Sequence, residues 1–222
     1  MSSKPTESEE RALKITEIFY SLQGEGRSVG WPTTFIRLTG CPLRCSYCDT
    51  EYAFKGGERT SVENVMAQVR GYPAHHVTVT GGEPLAQKGS YPLMRALCEA
   101  GYQVSLETGG MVDISAVDPR VSRVVDLKTP GSGEADNNHW ENLEQLTADD
   151  QLKVVVVDRM DYDWLLPVLA EHQLEQRCEV LLSPVQGGVE PATLAQWILD
   201  DGLHVRFQLQ LHKILWGDQP GR

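Results

Sequence analysis

The sequence predicts an α/β fold in which a mainly parallel sheet forms an incomplete barrel. Strand and helix signals alternate through the middle of the chain, a pattern typical of parallel sheets with crossover helices. At 222 residues the chain is shorter than the ~250 residues of a typical eight-stranded barrel, so we expect fewer units. Polar or glycine-rich clusters follow the carboxyl ends of several strands, the edge where parallel α/β folds build their active sites.

The individual elements follow from short-range patterns. A helix is predicted over 60–70, because a Thr-x-x-Glu capping box (Thr60, Glu63) leads into apolar residues at helical spacing and Gly71 follows as a cap. A second is predicted over 191–199, where Pro191 suits the first helical position. Further helices are predicted over 90–100 and 161–171. Strands rich in β-branched and other apolar residues are predicted at 34–38, 76–80, 103–106, 123–127, 152–157, 180–182 and 205–209.

The polar clusters at the strand ends indicate an enzyme rather than a scaffold. Any one of them is explained equally well as a turn, but their repetition on one edge favours an active site. The clusters lie at 80–84, 107–110, 126–128, 183–184 and 210–213.

Composition argues against several classes of protein. There are 20 Lys and Arg against 31 Asp and Glu, a net charge of −11 with His neutral, which is unlike a surface that tracks nucleic-acid phosphates. No stretch approaches the ~18 apolar residues of a membrane helix, and the amino terminus lacks the apolar region of a secretory signal. We therefore expect a cytoplasmic protein with a disordered polar tail over 1–13 and a single domain over 14–222.

The sharpest chemical signal is a group of three cysteines, Cys41, Cys45 and Cys48, on a loop after the first predicted strand. Structural zinc sites usually present two pairs of ligands, whereas this triplet stands without a second pair. Three cysteines leave one iron of a cubane iron–sulfur cluster free to bind a small molecule. A group of incidental reactive or zinc-binding cysteines is the alternative. Cys98 and Cys178 each stand alone and are interpreted as small buried hydrophobic residues.

The Cys-x-x-x-Cys-x-x-Cys motif, followed downstream by Gly81-Gly82-Glu83-Pro84 after a strand, resembles the radical S-adenosylmethionine (SAM) superfamily. The resemblance implies that superfamily's incomplete barrel and a 4Fe–4S cluster on the three cysteines. It also implies that SAM binds the fourth iron and that the Gly-Gly-Glu-Pro segment contacts the amino group of SAM. Glycines suit such a segment because they let the backbone approach a ligand closely.

A longer set of motifs is similar to the 7-carboxy-7-deazaguanine synthase family. These motifs are Leu22-Gln23-Gly24-Glu25-Gly26, Phe35-Ile36-Arg37-Leu38, Cys48-Asp49-Thr50 and Gln210-Leu211-His212-Lys213. The resemblance implies a lyase that converts 6-carboxy-5,6,7,8-tetrahydropterin to 7-carboxy-7-deazaguanine and ammonia by radical ring contraction in queuosine and 7-deazapurine biosynthesis. It also implies a 4Fe–4S cluster, SAM and Mg²⁺ as cofactors, a flavodoxin or ferredoxin as electron donor, a homodimer, and no direct contact with nucleic acid or membrane.

The same resemblance implies roles for individual positions. Cys41, Cys45 and Cys48 would hold the cluster, and Thr50 would bind Mg²⁺, which prefers hard oxygen ligands. SAM contacts are implied for Tyr47, Cys48, Asp49, Gly82, Asp126, Leu127, Lys128, Ser183, Pro184, Val185 and Gln186. Substrate contacts are implied for Leu22, Gln23, Gly24, Arg37 and Thr80.

Some positions have two interpretations. Arg37 could hold a carboxylate in two-point geometry or form an ordinary ion pair. Asp126 and Leu127 stand where many members have Ser-Pro, and Ser183 stands where they have Gln. Glu107 is either a cofactor-side or a structural acid, and His212 either faces the substrate or packs at the C-terminus. The acidic stretch 134–150 is either a solvated surface or an insertion near the cofactor.

Two other functions remain as alternatives. A glycyl-radical activase shares the cysteine motif but acts on a protein partner and lacks the Leu-Gln-Gly-Glu-Gly motif. A non-enzymatic module that binds zinc or transfers electrons would use the cysteines alone.

Overall fold

A computed structural model of the protein describes residues 12–217, 219 and 221. The strands are β1 (Leu13–Leu22), β2 (Pro32–Leu38), β3 (Glu58–Thr60), β4 (His76–Gly81), β5 (Gln103–Thr108), β6 (Ser122–Asp126), β7 (Gln151–Val156), β8 (Glu179–Pro184) and β9 (Arg206–Phe207). They form one nine-stranded sheet in the order β3-β1-β2-β4-β5-β6-β7-β8-β9. Strands β2 and β4 to β9 run parallel, while β1 pairs antiparallel with β2 and β3. Because the sheet ends at β3 and β9, the predicted mainly parallel, incomplete barrel is confirmed.

The helices cover the sheet and enclose the core. They are α1 (Val62–Val69), α2 (Ser90–Glu99), α3 (Glu141–Gln145), α4 (Arg159–Glu171), α5 (Leu174–Arg177), α6 (Pro191–Asp201) and α7 (Leu211–Trp216). Leu97, Leu165 and Leu194 of three different helices are fully buried in one continuous core. Burial of each such side chain stabilises the fold by roughly 1.5–3 kcal/mol. No described helix is long and apolar enough to cross a membrane.

Three details of the amino-terminal half differ from the sequence predictions. The patterns do not predict β1 and β3. Thr60 ends β3, so the predicted cap is wrong by one residue: Ser61 is the N-cap of α1, and its side chain accepts a hydrogen bond from the Asn64 amide at 3.3 Å. The predicted tail lies outside the described residues for 1–11, but Leu13 is buried and already begins β1.

The loop between β1 and β2 (residues 23–31, the β1–β2 loop) lies at an unexpected end of the sheet. Leu22 is paired with Pro32, the first residue of β2, so the loop lies at the amino-terminal end of the parallel strands. The Gly26 amide donates to Oε1 of Gln208 at 2.8 Å, and the Gly26 carbonyl accepts from Nε2 at 3.1 Å. The β1–β2 loop therefore bonds to the segment after β9 and links the two sides of the open sheet.

Candidate active site

A cavity of about 270 Å³ is lined by residues from both ends of the parallel strands. The loop after β2 (residues 39–50, the cysteine loop) contributes from the carboxyl-terminal end, and the β1–β2 loop contributes from the amino-terminal end. Strand residues such as Thr80, Glu107 and Lys153 line it between the two loops. A concave site with several convergent polar groups is where binding and chemistry are expected.

The three thiols of Cys41, Cys45 and Cys48 line this cavity and form no disulfide. Burial raises the pKa of each thiol, whereas bound iron would hold it as the thiolate. Among the described residues, no three His, Cys, Asp or Glu side chains are arranged to hold a single metal ion. Three free thiols on one cavity fit a 4Fe–4S cluster with one open iron, because each thiolate would bind a different iron.

The other two cysteines contact the hydrophobic core. Cys178 is buried in the hydrophobic core, and Cys98 packs against that core from α2. Neither lines the cavity. The interpretation as a small buried hydrophobic residue is confirmed for Cys178, whereas Cys98 is only partly buried.

The cysteine loop is held in shape by its own backbone and by Arg44. The Arg44 guanidinium lies 4.2 Å from the centre of the Phe54 ring and donates to the carbonyls of Cys41 at 2.7 Å and Leu43 at 2.6 Å. The Cys48 amide donates to the Cys45 carbonyl at 3.2 Å. These bonds fold the loop back on itself, so that three cysteines close in sequence line one cavity.

The Gly81-Gly82 pair packs directly against the start of the cysteine loop. The Gly82 amide donates to the Leu38 carbonyl at 3.0 Å, and the Glu83 amide donates to the Gly40 carbonyl at 2.8 Å. A Cβ atom on Gly82 would lie 2.1 Å from the Gly40 oxygen, a separation that no side chain tolerates. Glycine is therefore required here by contact between two backbones, in addition to any contact with a ligand.

Glu83 joins this segment to the end of β5. Its buried carboxylate accepts hydrogen bonds from the amides of Leu85 at 2.9 Å and Gly109 at 2.8 Å, and from the Thr108 hydroxyl at 2.8 Å. Burial raises the pKa of this carboxyl above its usual value, although these donors oppose the shift. Glu83 thus fixes two loops of the cavity wall relative to each other.

A network of buried charges connects the β1–β2 loop to β6 and β7. Lys153 Nζ pairs with Glu25 at 2.5 Å and lies 3.9 Å from Asp126, which also pairs with Lys128 at 2.8 Å. Burial opposes the charge on Lys153, but Glu25 and Asp126 together raise its pKa well above the usual value. Burial likewise opposes the charge on Glu25, and Lys153 lowers the pKa of that carboxyl. Both partners of the pair are therefore charged at neutral pH.

Gln23, Thr80 and Glu107 meet on the cavity wall. Gln23 is buried, and its amide nitrogen donates to Thr78 at 3.0 Å and to Glu107 at 3.2 Å. The Thr80 hydroxyl donates to the other Glu107 oxygen at 2.9 Å. Burial and the nearby Glu25 charge raise the pKa of Glu107. Glu107 therefore lies with two residues for which the resemblance implies substrate contacts.

Of the two interpretations of Arg37, the structure shows the ion pair. Its Nε donates to Glu17 at 2.7 Å, so an ion pair is present, and its guanidinium also lines the cavity. The guanidinium lies 5.8 Å from the ring centres of Phe19 and Tyr52. The Tyr52 hydroxyl donates to the same Glu17 oxygen at 2.8 Å, and burial is the main cause that raises its pKa to about 12. Glu17 and the two rings hold the Arg37 fork in a fixed orientation beside the cavity.

The carboxyl-terminal helix α7 contacts both loops of the site. Lys213 Nζ pairs with Asp49 at 3.0 Å and lowers the pKa of that carboxyl to about 2 against the effect of its burial. The Leu211 amide donates to the Gly24 carbonyl at 3.0 Å, and a Cβ on Gly24 would lie 2.1 Å from Nδ1 of His212. Burial lowers the pKa of His212, so this ring is neutral at pH 7. The segment at the C-terminus thus faces the cavity.

The cavity brings together most of the residues predicted from the sequence. These are Leu22, Gln23, Gly24, Arg37, Cys41, Cys45, Tyr47, Cys48, Asp49, Thr50, Thr80, Gly82, Asp126, Lys128 and Val185. Two buried polar atoms of lining residues lack a hydrogen-bond partner, namely the Tyr47 hydroxyl and Asp126 Oδ1. Unpartnered polar atoms of this kind fit a site that binds a polar ligand or water.

Four predicted residues lie outside the cavity lining. Leu127 is buried in the hydrophobic core, because it follows Asp126 and consecutive residues face opposite sides. Ser183 and Pro184 are buried within β8, and Gln186 is exposed on the loop beyond it. Of the segment 183–186, only Val185 lines the cavity.

Sequence reasoning missed Glu25 and Lys153 as members of the site. Glu25 was visible within the Leu-Gln-Gly-Glu-Gly motif, but its partner is 128 residues away. Lys153 stands among apolar strand residues in the sequence Leu152-Lys153-Val154, and a lone Lys inside a buried strand is the signal that could have found it.

Comparison with known proteins gives consistent results. A family model described as the radical SAM superfamily matches residues 35–125. A solved structure of QueE from Escherichia coli is 27% identical, has a TM-score of 0.74, and is matched over 90% of this chain and 95% of that one. A structure of TYW1 with a lysine-pyruvate adduct, 13% identical with a TM-score of 0.55, shares the fold over 76% of this chain and 73% of that one.

Curated relatives match over nearly the whole chain. The 7-carboxy-7-deazaguanine synthase of Chlorobaculum tepidum is 43% identical over 94% of this chain and 96% of its own length. The protein of the same name from Koribacter versatilis is 42% identical over 92% of this chain and 97% of its own length. The chain therefore belongs to the 7-carboxy-7-deazaguanine synthase family of radical SAM enzymes.

Proposed function

We propose that this enzyme converts 6-carboxy-5,6,7,8-tetrahydropterin to 7-carboxy-7-deazaguanine and ammonia. The observation that carries the proposal is a cavity with two kinds of wall. Three free thiols line one part, and an oriented arginine lines another together with Gln23, Thr80 and Glu107. The thiols suit a cluster, and the polar residues suit a substrate that carries a carboxylate. When bound, the cluster and SAM would supply a 5′-deoxyadenosyl radical that removes a hydrogen atom from the substrate and later returns one.

The cofactor side of the cavity would be formed by the cysteine loop and its neighbours. Cys41, Cys45 and Cys48 would hold the cluster. Tyr47, Asp49, Gly82, Asp126, Lys128 and Val185 line the cavity and would contact SAM, with Cys48 as a shared residue. Leu127, Ser183, Pro184 and Gln186 would act indirectly, because their side chains lie outside the lining.

The substrate side would be formed by the β1–β2 loop and the central strands. Arg37 can hold a carboxylate with its planar fork, and Glu17 fixes the orientation of that fork. Gln23 and Thr80 are supported by Glu107 and, with Leu22 and Gly24, would contact the pterin. Lys153 holds the β1–β2 loop through Glu25 and so maintains this side of the cavity.

Mg²⁺ is part of the proposal through Thr50. Its hydroxyl lines the cavity and donates to Asp49 Oδ1 at 2.9 Å. A hydroxyl and a substrate carboxylate are hard oxygen ligands of the kind that Mg²⁺ prefers. Lys213 engages the other Asp49 oxygen and so fixes the side chain beside Thr50.

The assembly and cellular setting complete the proposal. We propose a single domain over 14–222 that acts in the cytoplasm as a homodimer and receives electrons from a flavodoxin or ferredoxin. The continuous sheet and single core of the described residues support the single domain. The net charge of −11 supports an enzyme without direct nucleic-acid contacts.

Anaerobic reconstitution tests the function. Protein loaded with iron and sulfide is incubated with reductant, SAM, Mg²⁺ and the carboxypterin, and products are identified by mass spectrometry. We expect 7-carboxy-7-deazaguanine and ammonia. Protein that cleaves SAM but forms no deazapurine would favour another radical SAM reaction, such as that of a glycyl-radical activase, and a zinc-loaded, colourless protein would favour the non-enzymatic alternative.

Cys45→Ala, with Cys98→Ala as its matched control, tests the ligand assignment. Cys45→Ala should lose cluster loading because the set of three thiols becomes incomplete, whereas Cys98→Ala should load normally because Cys98 lies outside the cavity. Iron content and the visible charge-transfer absorption measure loading. A full cluster in Cys45→Ala would contradict the assignment.

A further inference from the structure

The segment after β6 (residues 129–134, the support segment) forms hydrogen bonds with the residues on both sides of Cys45. The Ser46 amide donates to the Ser132 carbonyl at 2.9 Å, and the Ser46 hydroxyl donates to the Gly131 carbonyl at 2.8 Å. On the other side of the cysteine, the Arg44 amide donates to the Glu134 carboxylate. The support segment therefore bonds to the residues on both sides of Cys45, and it orients the peptide group between Cys45 and Ser46.

The support segment is itself held by a buried carboxylate on α4. Asp161 is 1% exposed and accepts from the Gly131 amide at 2.7 Å, the Thr129 hydroxyl at 2.9 Å and the Val157 amide at 3.0 Å. A Cβ on Gly131 would lie 2.5 Å from Asp161 Oδ2, so the glycine is what lets the carboxylate approach. Asp161 thus fixes the end of the segment that bonds to Ser46.

The first amides of α4 are capped by a different carboxylate. Asp158 is the N-cap, and its side chain accepts from the amides of Met160 at 2.9 Å and Asp161 at 3.1 Å. The Asp161 side chain points instead to Thr129, Gly131 and Val157, outside the helix. Its contacts with Thr129 and Gly131 serve the support segment rather than the helix that carries it.

We propose that Asp161 is a positioning residue for the cluster ligand Cys45, acting through Gly131 and Ser132 on Ser46. The inference rests on the proposed function, because Cys45 is taken as a ligand of the cluster. Partners that orient a ligand from outside typically change metal affinity 10–100-fold when they are removed. The same bonds would orient the Cys45 sulfur toward the cluster, and hydrogen bonds and solvent exposure at the sulfurs influence the reduction potential.

The test compares two variants that break the same contact from opposite sides. Asp161→Asn leaves one acceptor oxygen where two are used, and Gly131→Ala forces the segment away from the carboxylate. Asp158→Ala is the matched control, since it removes the N-cap of the same helix without touching the support segment. Each protein is loaded anaerobically, and the rate of iron release to a ferrous chelator and the cluster reduction potential are measured.

We expect Asp161→Asn and Gly131→Ala each to speed iron release by roughly tenfold and to shift the reduction potential. The double variant should release iron no faster than the more affected single variant, because both act on one contact. Asp158→Ala should lower the melting temperature, because the N-cap is lost, while its iron release and potential stay as in the wild type.

Each contrary result has a distinct meaning. If Gly131→Ala releases iron at the wild-type rate, the inference is overturned. This variant decides the question even where Asp161→Asn fails to fold. Equal acceleration by Asp158→Ala would also overturn it, because the effect would then be general destabilisation. A wild-type protein that loads no cluster would instead refute the proposed function.

Discussion

Replacement of Lys153 by Met tests how far the charge network holds the cavity together. The substitution conserves most of the side chain's volume and removes its charge. Among the side chains that the structure describes, Glu25 would keep Gln210 as its hydrogen-bond donor, and Asp126 would keep Lys128. The variant therefore leaves a buried carboxylate without its cation.

The size of the effect follows from the burial of the pair. The side chains of Lys153 and Glu25 are 16% and 12% exposed, so water compensates little for the lost partner. Removing one member of a buried ion pair typically costs about 3–5 kcal/mol of unfolding free energy. At about 2–4 °C per kcal/mol for a chain of this length, the melting temperature should fall by roughly 6–20 °C at pH 7.

The pH dependence of the stability loss provides a second, independent test of this prediction. In the wild type the pKa of Glu25 lies below its usual 4.5, so the stabilisation is present above pH 4.5 and is lost as pH falls through the lowered folded value. In Lys153→Met, burial without the cation should raise the pKa of Glu25 above 4.5. The variant then binds a proton on folding, so the difference in melting temperature between variant and wild type should shrink as pH falls from 7 towards 5.

Thermal unfolding followed by circular dichroism at pH 7 and pH 5 measures both effects. Lys55→Met, which removes an exposed lysine, is the matched control and should stay within about 2 °C of the wild type. Adding Glu25→Gln to Lys153→Met should restore part of the loss, because no charge is then left unpaired at Glu25. A fall of less than 3 °C at pH 7, or an equal fall at both pH values, would refute the reasoning.

Two further substitutions probe the cavity walls. Arg37→Ala should raise the Michaelis constant for the carboxypterin by roughly 10–100-fold, as expected for lost bonds to a charged group, while reductive cleavage of SAM continues; an unchanged constant would remove Arg37 from the substrate side. Gly82→Ala should prevent normal cluster loading, because the added Cβ would lie 2.1 Å from the Gly40 oxygen; iron analysis showing a full cluster would mean that the two loops can separate without consequence.

The parallel part of the fold could be predicted from sequence because its signals are local. Its strands are runs of apolar residues, and the predicted helix at 191–199 differs from α6 only by two residues at its end. The antiparallel strand β1 gave no such signal. Most of its positions are exposed or half-buried, because β3 pairs with it only at its start while β2 pairs with it along most of its length. Without β1, the sequence could not show that the β1–β2 loop enters the site from the opposite end.

Neighbouring positions with opposite roles mark another limit of prediction from sequence. The resemblance implied SAM contacts for Asp126, Leu127 and Lys128 together, but only Asp126 and Lys128 line the cavity while Leu127 enters the core. The strand period of two explains this difference, and it could have been applied before the structure was known. The pairing of Glu25 with Lys153 could not, because nothing local relates residues so far apart in the chain.

The Gly-Gly-Glu segment shows why a motif can serve a ligand and the fold at once. Gly82 is required by its contact with the Gly40 backbone. The buried Glu83 carboxylate accepts hydrogen bonds from Leu85, Thr108 and Gly109. These contacts tie the cysteine loop, β4 and the end of β5 into one wall. A substitution in the motif would therefore displace the thiols even where it touches no cofactor. Loss of cluster and loss of SAM binding should then occur together in such variants, whereas Arg37→Ala should affect the pterin alone.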